Sequence, residues 1–243
     1  MFIDPCSNNE MFMVSYYRKH GVPGRLYARG PSAQKLSHTA KAFIFAADPD
    51  ASQGADIQHF DVDENNAFPT MMWNEVQKEV GDVMDIDFVT FTAFVKHPGT
   101  FRSFLAEYQG ITVKEAKKVF IKLLHFGLPE SELPLLWALA AEFRTAAQVL
   151  ISKDKYSYLQ GMFGDRRNPM ATRLHYALAS VEDAIVNDLA REMENAFGEQ
   201  VKVIVFMFDG LILQVKGVCV EAMQAVLAVV GEGWNVTFSL DRF

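Results

Sequence analysis

Two apolar, β-branched runs, Val201–Phe208 and Leu211–Val215, are separated only by Asp209-Gly210. That pattern predicts two antiparallel strands joined by a tight turn, because Asp-Gly readily adopts the backbone conformations short hairpins need. Part of the fold is therefore an antiparallel sheet with a carboxylate at a hairpin tip. Further strands are read at Ala42–Ala47, His59–Val62 and Val236–Leu240, with an Asp/Ser/Gly loop at 48–56. Helical patterns fall at Thr70–Lys78, Glu130–Ile151, Thr172–Phe197 and between Val218 and Val230. Thr112-Val-Lys-Glu115 has the spacing of a capping box and opens a helix to about Phe126, with Gly127 as its C-cap. The stretch 82–109 is mixed, and Gly161–Pro169 reads as a polar loop. The class is α+β.

The chain has 243 residues, 50% of them hydrophobic and 22% charged, enough for one large domain or two lobes. This excludes disorder, collagen-like repeats and low-complexity tails. Cys6 and Cys219 lack metal-ligand spacing, which suits a reducing compartment. No signal-peptide pattern opens the chain, and no apolar run approaches the roughly 20 residues that span a membrane. The expectation is an intracellular, non-secreted protein (cytoplasm, nucleus or virus factory) with no membrane partner.

A net charge of -7 argues, as a bulk number, against non-specific nucleic-acid binding. The distribution says otherwise. Residues 11–47 carry Arg18, Lys19, Arg25, Arg29, Lys35 and Lys41 with no acid, whereas residues 48–87 hold eleven acids against Lys78 alone. Basic density returns at Lys114, Lys117, Lys118 and Lys122, and again at Lys153, Lys155, Arg166, Arg167 and Arg173. Segregated charge attracts a polyanion locally; solvated surface faces are the plainer account of any one cluster.

Three elements carry chemistry. Asp61 and Asp63 lie two apart in a strand and share a face, and strand-end carboxylates suit a hard divalent cation. Asp209 stands at the hairpin tip, from where it can face that pair across neighbouring strands. Two such carboxylates bracket metal pairs in phosphoryl and nucleotidyl transfer; a simple turn is the alternative. Lys114, Lys118, Lys122 and Phe126 recur every four residues and form one helical ridge. A triphosphate satisfies such a ridge, and a solvated helix face is its plain alternative. The basic and aromatic residues of Lys153–Tyr158, with Arg166, Arg167 and Arg173, suit nucleic acid or a solvated loop equally. The six histidines show no metal spacing.

The run Gly24-Arg25-Leu26-Tyr27-Ala28-Arg29-Gly30-Pro31-Ser32-Ala33-Gln34, followed by the Asp63 segment, resembles family A DNA polymerases. Asp63-Glu-Asn-Asn-Ala-Phe68-Pro69 also resembles motif A of family B polymerases. Lys114-x3-Lys118-x3-Lys122-x3-Phe126-Gly127 is similar to the family A fingers helix, and Asp209 falls where motif C places its aspartate. The elements occur in the family's order over about residues 21–215. The overall pattern is similar to the small polymerase domains of virophages and related mobile elements.

The resemblance implies a right-hand palm (an antiparallel sheet plus helices) with a helical fingers insertion. Residues 1–75 would be the N-terminal part of the palm, 76–160 the fingers and 161–243 the C-terminal part of the palm. It implies a DNA polymerase that extends a primer with dNTPs on a nucleic-acid template, with primase or reverse-transcriptase-like activity as variants. Asp63 and Asp209 would hold two Mg²⁺ ions (or Mn²⁺), with Asp61 a third or alternative ligand. Lys114, Lys118 and Lys122 would meet the triphosphate, Phe126 would pack beside the nascent base pair, and Phe68 would be the steric gate or else a core aromatic. Arg25, Arg29, Gln34 and Arg173 would contact primer–template, and a helicase or processivity factor would be a partner. Gly210 stands where family A carries a second acid, for which Glu182 is a candidate replacement, and Lys122 stands where the family has an aromatic. The alternatives are a catalytically weakened nucleic-acid-binding subunit and a metal-dependent nuclease or phosphohydrolase.

Overall fold

The computed structural model describes residues 2–3, 11–12, 16–18, 25–29, 32–46, 57–81 and 87–243. The loop expected at 48–56 lies outside them. In chain order the strands are β1 (Phe2–Ile3), β2 (Met11–Phe12), β3 (Tyr16–Arg18), β4 (Leu26–Ala28), β5 (Ile57–Glu64), β6 (Val201–Phe206), β7 (Gly210–Lys216) and β8 (Phe238–Arg242). The helices are α1 (His38–Ala46), α2 (Ala67–Val80), α3 (Val89–Lys96), α4 (Pro98–Gln109), α5 (Val113–Leu124), α6 (Pro134–Ile151), α7 (Pro169–Phe197) and α8 (Val220–Trp234). Two compact units divide the chain: Met1–Ala67 with Ala179–Phe243, and Phe68–Leu178. Among the described residues, no helix is long and apolar enough to cross a membrane.

The first unit is built on a four-stranded sheet of order β6-β7-β5-β8, antiparallel throughout. Alternation along β5 sorts its side chains. Phe60 and Val62 join Leu211, Leu213 and Val215 of β7 in a core with Val186, Leu189 and Met193 of α7 and Leu227 of α8. The opposite parity places Asp61 and Asp63 on the other face, where Ile212 packs with Phe45 of α1. In β6 the register shifts between Val203 and Val205. This bulge lets Val203 and Phe206 both pack toward the helices while Val205 turns to the α1 side.

The strand expected at Ala42–Ala47 is instead part of α1. A short apolar run does not distinguish strand from buried helix, and here the local start signal decides. The Ser37 hydroxyl accepts a hydrogen bond from the Ala40 N–H at 3.2 Å, and the Lys41 N–H donates to the Ser37 carbonyl at 2.9 Å. Helical spacing then buries both Lys41 and Phe45, four residues apart.

The second unit is helical and packs around phenylalanines. Phe94 lies 4.8 Å from Phe120, 5.5 Å from Phe101 and 6.0 Å from Phe143, ring centre to ring centre. The expected capping box is present: the Thr112 side chain accepts from the Glu115 N–H, and the Glu115 carboxylate accepts from the Thr112 N–H. Thr112→Ala removes one half of it, with an expected loss of about 1 kcal/mol in urea unfolding.

Helix α5 ends at Leu124, short of the expected Phe126. Phe126, not Gly127, adopts the left-handed conformation, at φ 65°. The Gly127 N–H bonds the Lys122 carbonyl at 2.8 Å and the Phe126 N–H bonds that of Leu123 at 2.9 Å, the Schellman pattern. Gly127 serves close packing, since a Cβ there would meet the Lys122 carbonyl oxygen at 2.8 Å. Prolines set two other starts: α6 opens at Pro134 rather than Glu130, and α7 at Pro169 rather than Thr172.

Candidate active site

The site of the first unit forms where β5, β7 and β8 run side by side. Asp63 pairs with Gly210 of β7 and with Ser239 of β8. The turn between β6 and β7 is Met207–Asp209, closed by the Met207 N–H on the Gly210 carbonyl at 2.9 Å. The two-residue Asp-Gly tip expected from sequence is thus a three-residue turn, with Gly210 the first residue of a strand. Asp209 is tied to β5 directly, its carbonyl accepting from the Glu64 N–H at 2.8 Å. A Cβ on Gly210 would overlap the Val62 carbonyl oxygen and lie 2.8 Å from Asp63 Oδ1. The glycine is required by close approach of β5, not by a turn conformation.

Four more acids crowd these strands. Asp61 is 4% exposed; its Oδ2 meets Lys41 Nζ at 3.4 Å and its Oδ1 has no partner. Asp241 stands directly opposite it on β8. Burial, with the charges of Asp61 and Asp209 beside it, pushes the Asp63 carboxyl up to about 6. Glu64 is buried with neither carboxylate oxygen bonded, and burial together with Glu182 and Asp209 pushes it up to about 8. Glu182 of α7 is fully buried. Burial raises it too, to about 7, although Arg25 opposes the shift.

Arg25 makes two hydrogen bonds to Glu182, from Nε to Oε2 and from NH2 to Oε1, the latter at 2.7 Å. Its guanidinium also lies 5.0 Å from the ring centre of Phe208, and Tyr27 lies 5.4 Å from the same ring. Gln34 is buried, accepting from the Ala28 N–H at 2.9 Å and donating to the Phe206 carbonyl at 3.1 Å. Both residues therefore brace the end of β6 and the turn that carries Asp209. Arg29 is exposed and lies over Tyr17 at 5.4 Å.

In the second unit, Lys114, Lys118 and Lys122 are exposed on α5, opposite the buried Ala116, Phe120, Leu123 and Leu124. Lys122 is paired with Glu130. Phe126 lies beyond the helix end, so the ridge consists of the three lysines. Phe68 packs its ring against His175 at 5.6 Å and His125 at 6.4 Å. Arg173 donates from Nε to the Met162 carbonyl at 3.2 Å. Lys153 and Lys155, candidates for a nucleic-acid surface, both bind the buried Glu75. Burial alone would raise Glu75, but its bonds to Lys155 and Lys78 hold it well below the ordinary carboxylate range.

Sequence reasoning missed Glu64 and left Glu182 without its partner. The signal for Glu64 was present in β5 parity, which places it on the buried face with Phe60 and Val62. Among the described residues, no three His, Cys, Asp or Glu side chains gather as a ligand set for one metal ion.

No protein-family model and no curated protein matches this sequence. Among solved structures the chain is similar to one described as the POL domain of Pol1 from M. smegmatis in complex with DNA primer-template and dNTP. The TM-score is 0.54 at 13% identity, covering 98% of this chain and 48% of that one. At that identity the likeness is one of fold. The chain thus has the α+β fold of a DNA polymerase domain and spans about half the length of that solved chain.

Proposed function

We propose that this chain is a template-directed nucleotidyltransferase, a DNA polymerase of family A type that extends a primer with dNTPs. The observation that carries the reading is Asp63 beside Gly210, with Asp209 hydrogen-bonded to the next residue of β5, in a fold shared with a polymerase domain. In this reading the first unit is the palm and the second the fingers.

The acids suit a divalent cation. They offer hard oxygen donors, and three oxygens, Asp61 Oδ1 and both of Glu64, are buried without partners. Mg²⁺ is ordinarily held by one or two carboxylates with substrate phosphates and water, so a complete protein cage is not needed. Asp63 and Asp209 would hold the ions, with Asp61 as an accessory group. Bound Mg²⁺ or Mn²⁺ would activate the primer 3′-hydroxyl and offset charge on the leaving pyrophosphate. Lys114 and Lys118 are the exposed cations for the triphosphate, and Lys122 can join them by leaving Glu130. Arg29 and Arg173 would contact primer–template, while Arg25 and Gln34 hold the Asp209 turn. Phe126 would flank the nascent base pair.

The test is extension of a labelled primer–template with Mg²⁺ and either dNTPs or NTPs, with dNTP-dependent extension expected. The ring of Phe68 under the sugar would block a 2′-hydroxyl, so Phe68→Ala should raise ribonucleotide incorporation about tenfold or more, since a removed steric block is worth about 1–3 kcal/mol of discrimination. Unchanged sugar preference would leave Phe68 as a packing residue. Gly210, in place of a second acid, favours one other reading, a weakened polymerase-like subunit. Template binding without nucleotide addition, under either metal, would support that reading.

A further inference from the structure

The turn of this site has no room for a second acid at position 210, because any Cβ there would overlap the Val62 carbonyl oxygen. An acid stands instead on the adjoining strand. Glu64 donates its backbone N–H to the Asp209 carbonyl at 2.8 Å, its residue is 5% exposed, and both of its carboxylate oxygens lack a hydrogen-bond partner. Its neighbours do not relieve it. Strand parity turns Glu64 away from Asp63 toward the helix-packed face, where it feels the charges of Glu182 and Asp209. Among the described residues, Arg25 is engaged by Glu182 and Lys41 by Asp61. A buried carboxyl group with neither donor nor counter-ion has lost its hydration for nothing. What would compensate it is a bound cation.

We propose that Glu64 is a ligand of a divalent cation, supplying with Asp209 the second acid that Gly210 cannot carry. The proposal rests on the polymerase reading above and adds a metal ligand to it. The test is binding of Mn²⁺ alone to the full chain, followed by the electron paramagnetic resonance signal of free Mn²⁺, for wild type, Glu64→Gln, Asp63→Asn and Asp209→Asn. Glu64→Gln is isosteric and is expected to weaken Mn²⁺ about tenfold or more, since even outer groups of metal sites carry about 10–100-fold. The two aspartate variants should lose at least as much. If the aspartate variants lose Mn²⁺ while Glu64→Gln binds like wild type, Glu64 is only a neutral buried carboxyl. The proposal then fails and the polymerase site stands. If the wild type takes up no Mn²⁺, or none of the variants differs from it, the proposal fails, and primer extension then decides the polymerase reading separately. Should Glu64→Gln misfold, Glu64→Asp decides by the rise in Tm on adding Mn²⁺. A rise smaller than that of wild type supports ligation, and an equal rise overturns it.

Discussion

Asparagine at position 63 or 209 is expected to cut primer extension about a thousandfold while leaving the fold in place. Removing one preorganised charge-stabilising group from an active site typically costs about 10²–10³ in rate, and an acid that holds a metal lies at the upper end of that range. The substitution keeps the size of the side chain and removes only its charge. What makes the prediction discriminating is the stability that should accompany it. Asp63 is harder to ionise in the fold than in the open chain, because burial and the charges of Asp61 and Asp209 oppose it. Asp63→Asn should therefore lose activity without losing Tm in metal-free buffer, and Tm should rise above pH 6. A structural acid would behave in the opposite way.

The pH dependence follows with its sign. Asp63, Glu64 and Glu182 are all raised, to about 6, 8 and 7, so each favours the fold in its protonated form. Their contribution is complete below the ordinary carboxylate range and is lost as pH climbs through those values. In EDTA, Tm should fall between about pH 5 and 8, and Mg²⁺ should flatten the decline. Activity should move the other way, rising through about pH 6 as Asp63 ionises to accept a cation. A Tm that increases over this interval without metal would contradict the buried, mutually repelling arrangement.

How far the sequence speaks differs from element to element. The hairpin, β5 with its aspartates, the capping box and the lysine ridge are local patterns, and local patterns survive folding. The α1 segment failed because Ala-Phe-Ile-Phe-Ala carries no period long enough to separate strand from helix, and the deciding bonds come from Ser37. Phe126 failed because an aromatic residue took the left-handed position that glycine usually fills. The candidate site was half legible. Asp63 and Asp209 stand out by spacing, whereas the Arg25–Glu182 pair joins residues 157 positions apart and no local pattern encodes it. Gln34, expected against primer–template, is instead held between β4 and the end of β6, a bracing that no local pattern encodes.

Gly210→Ala is expected to be the most damaging addition of a methyl group to the central sheet. Overfilling a packed position costs about 1–3 kcal/mol when neighbours can yield. Here the obstacle is the Val62 carbonyl oxygen, a backbone atom of the strand that carries Asp61, Asp63 and Glu64. It can move only if β5 moves, and then Asp63 leaves its place opposite position 210. The variant should therefore lose about 3 kcal/mol or more in urea unfolding and lose Mn²⁺ binding and primer extension along with it. Gly217 provides the contrast. It ends the same strand at φ 68°, yet nothing lies closer to its absent Cβ than Gln200 Nε2 at 3.9 Å. Gly217→Ala pays only the left-handed backbone cost of about 1–2 kcal/mol and should keep its activity. If Gly210→Ala is as stable and active as wild type, Asp63 does not pair with position 210, and the juxtaposition on which the polymerase reading rests is lost.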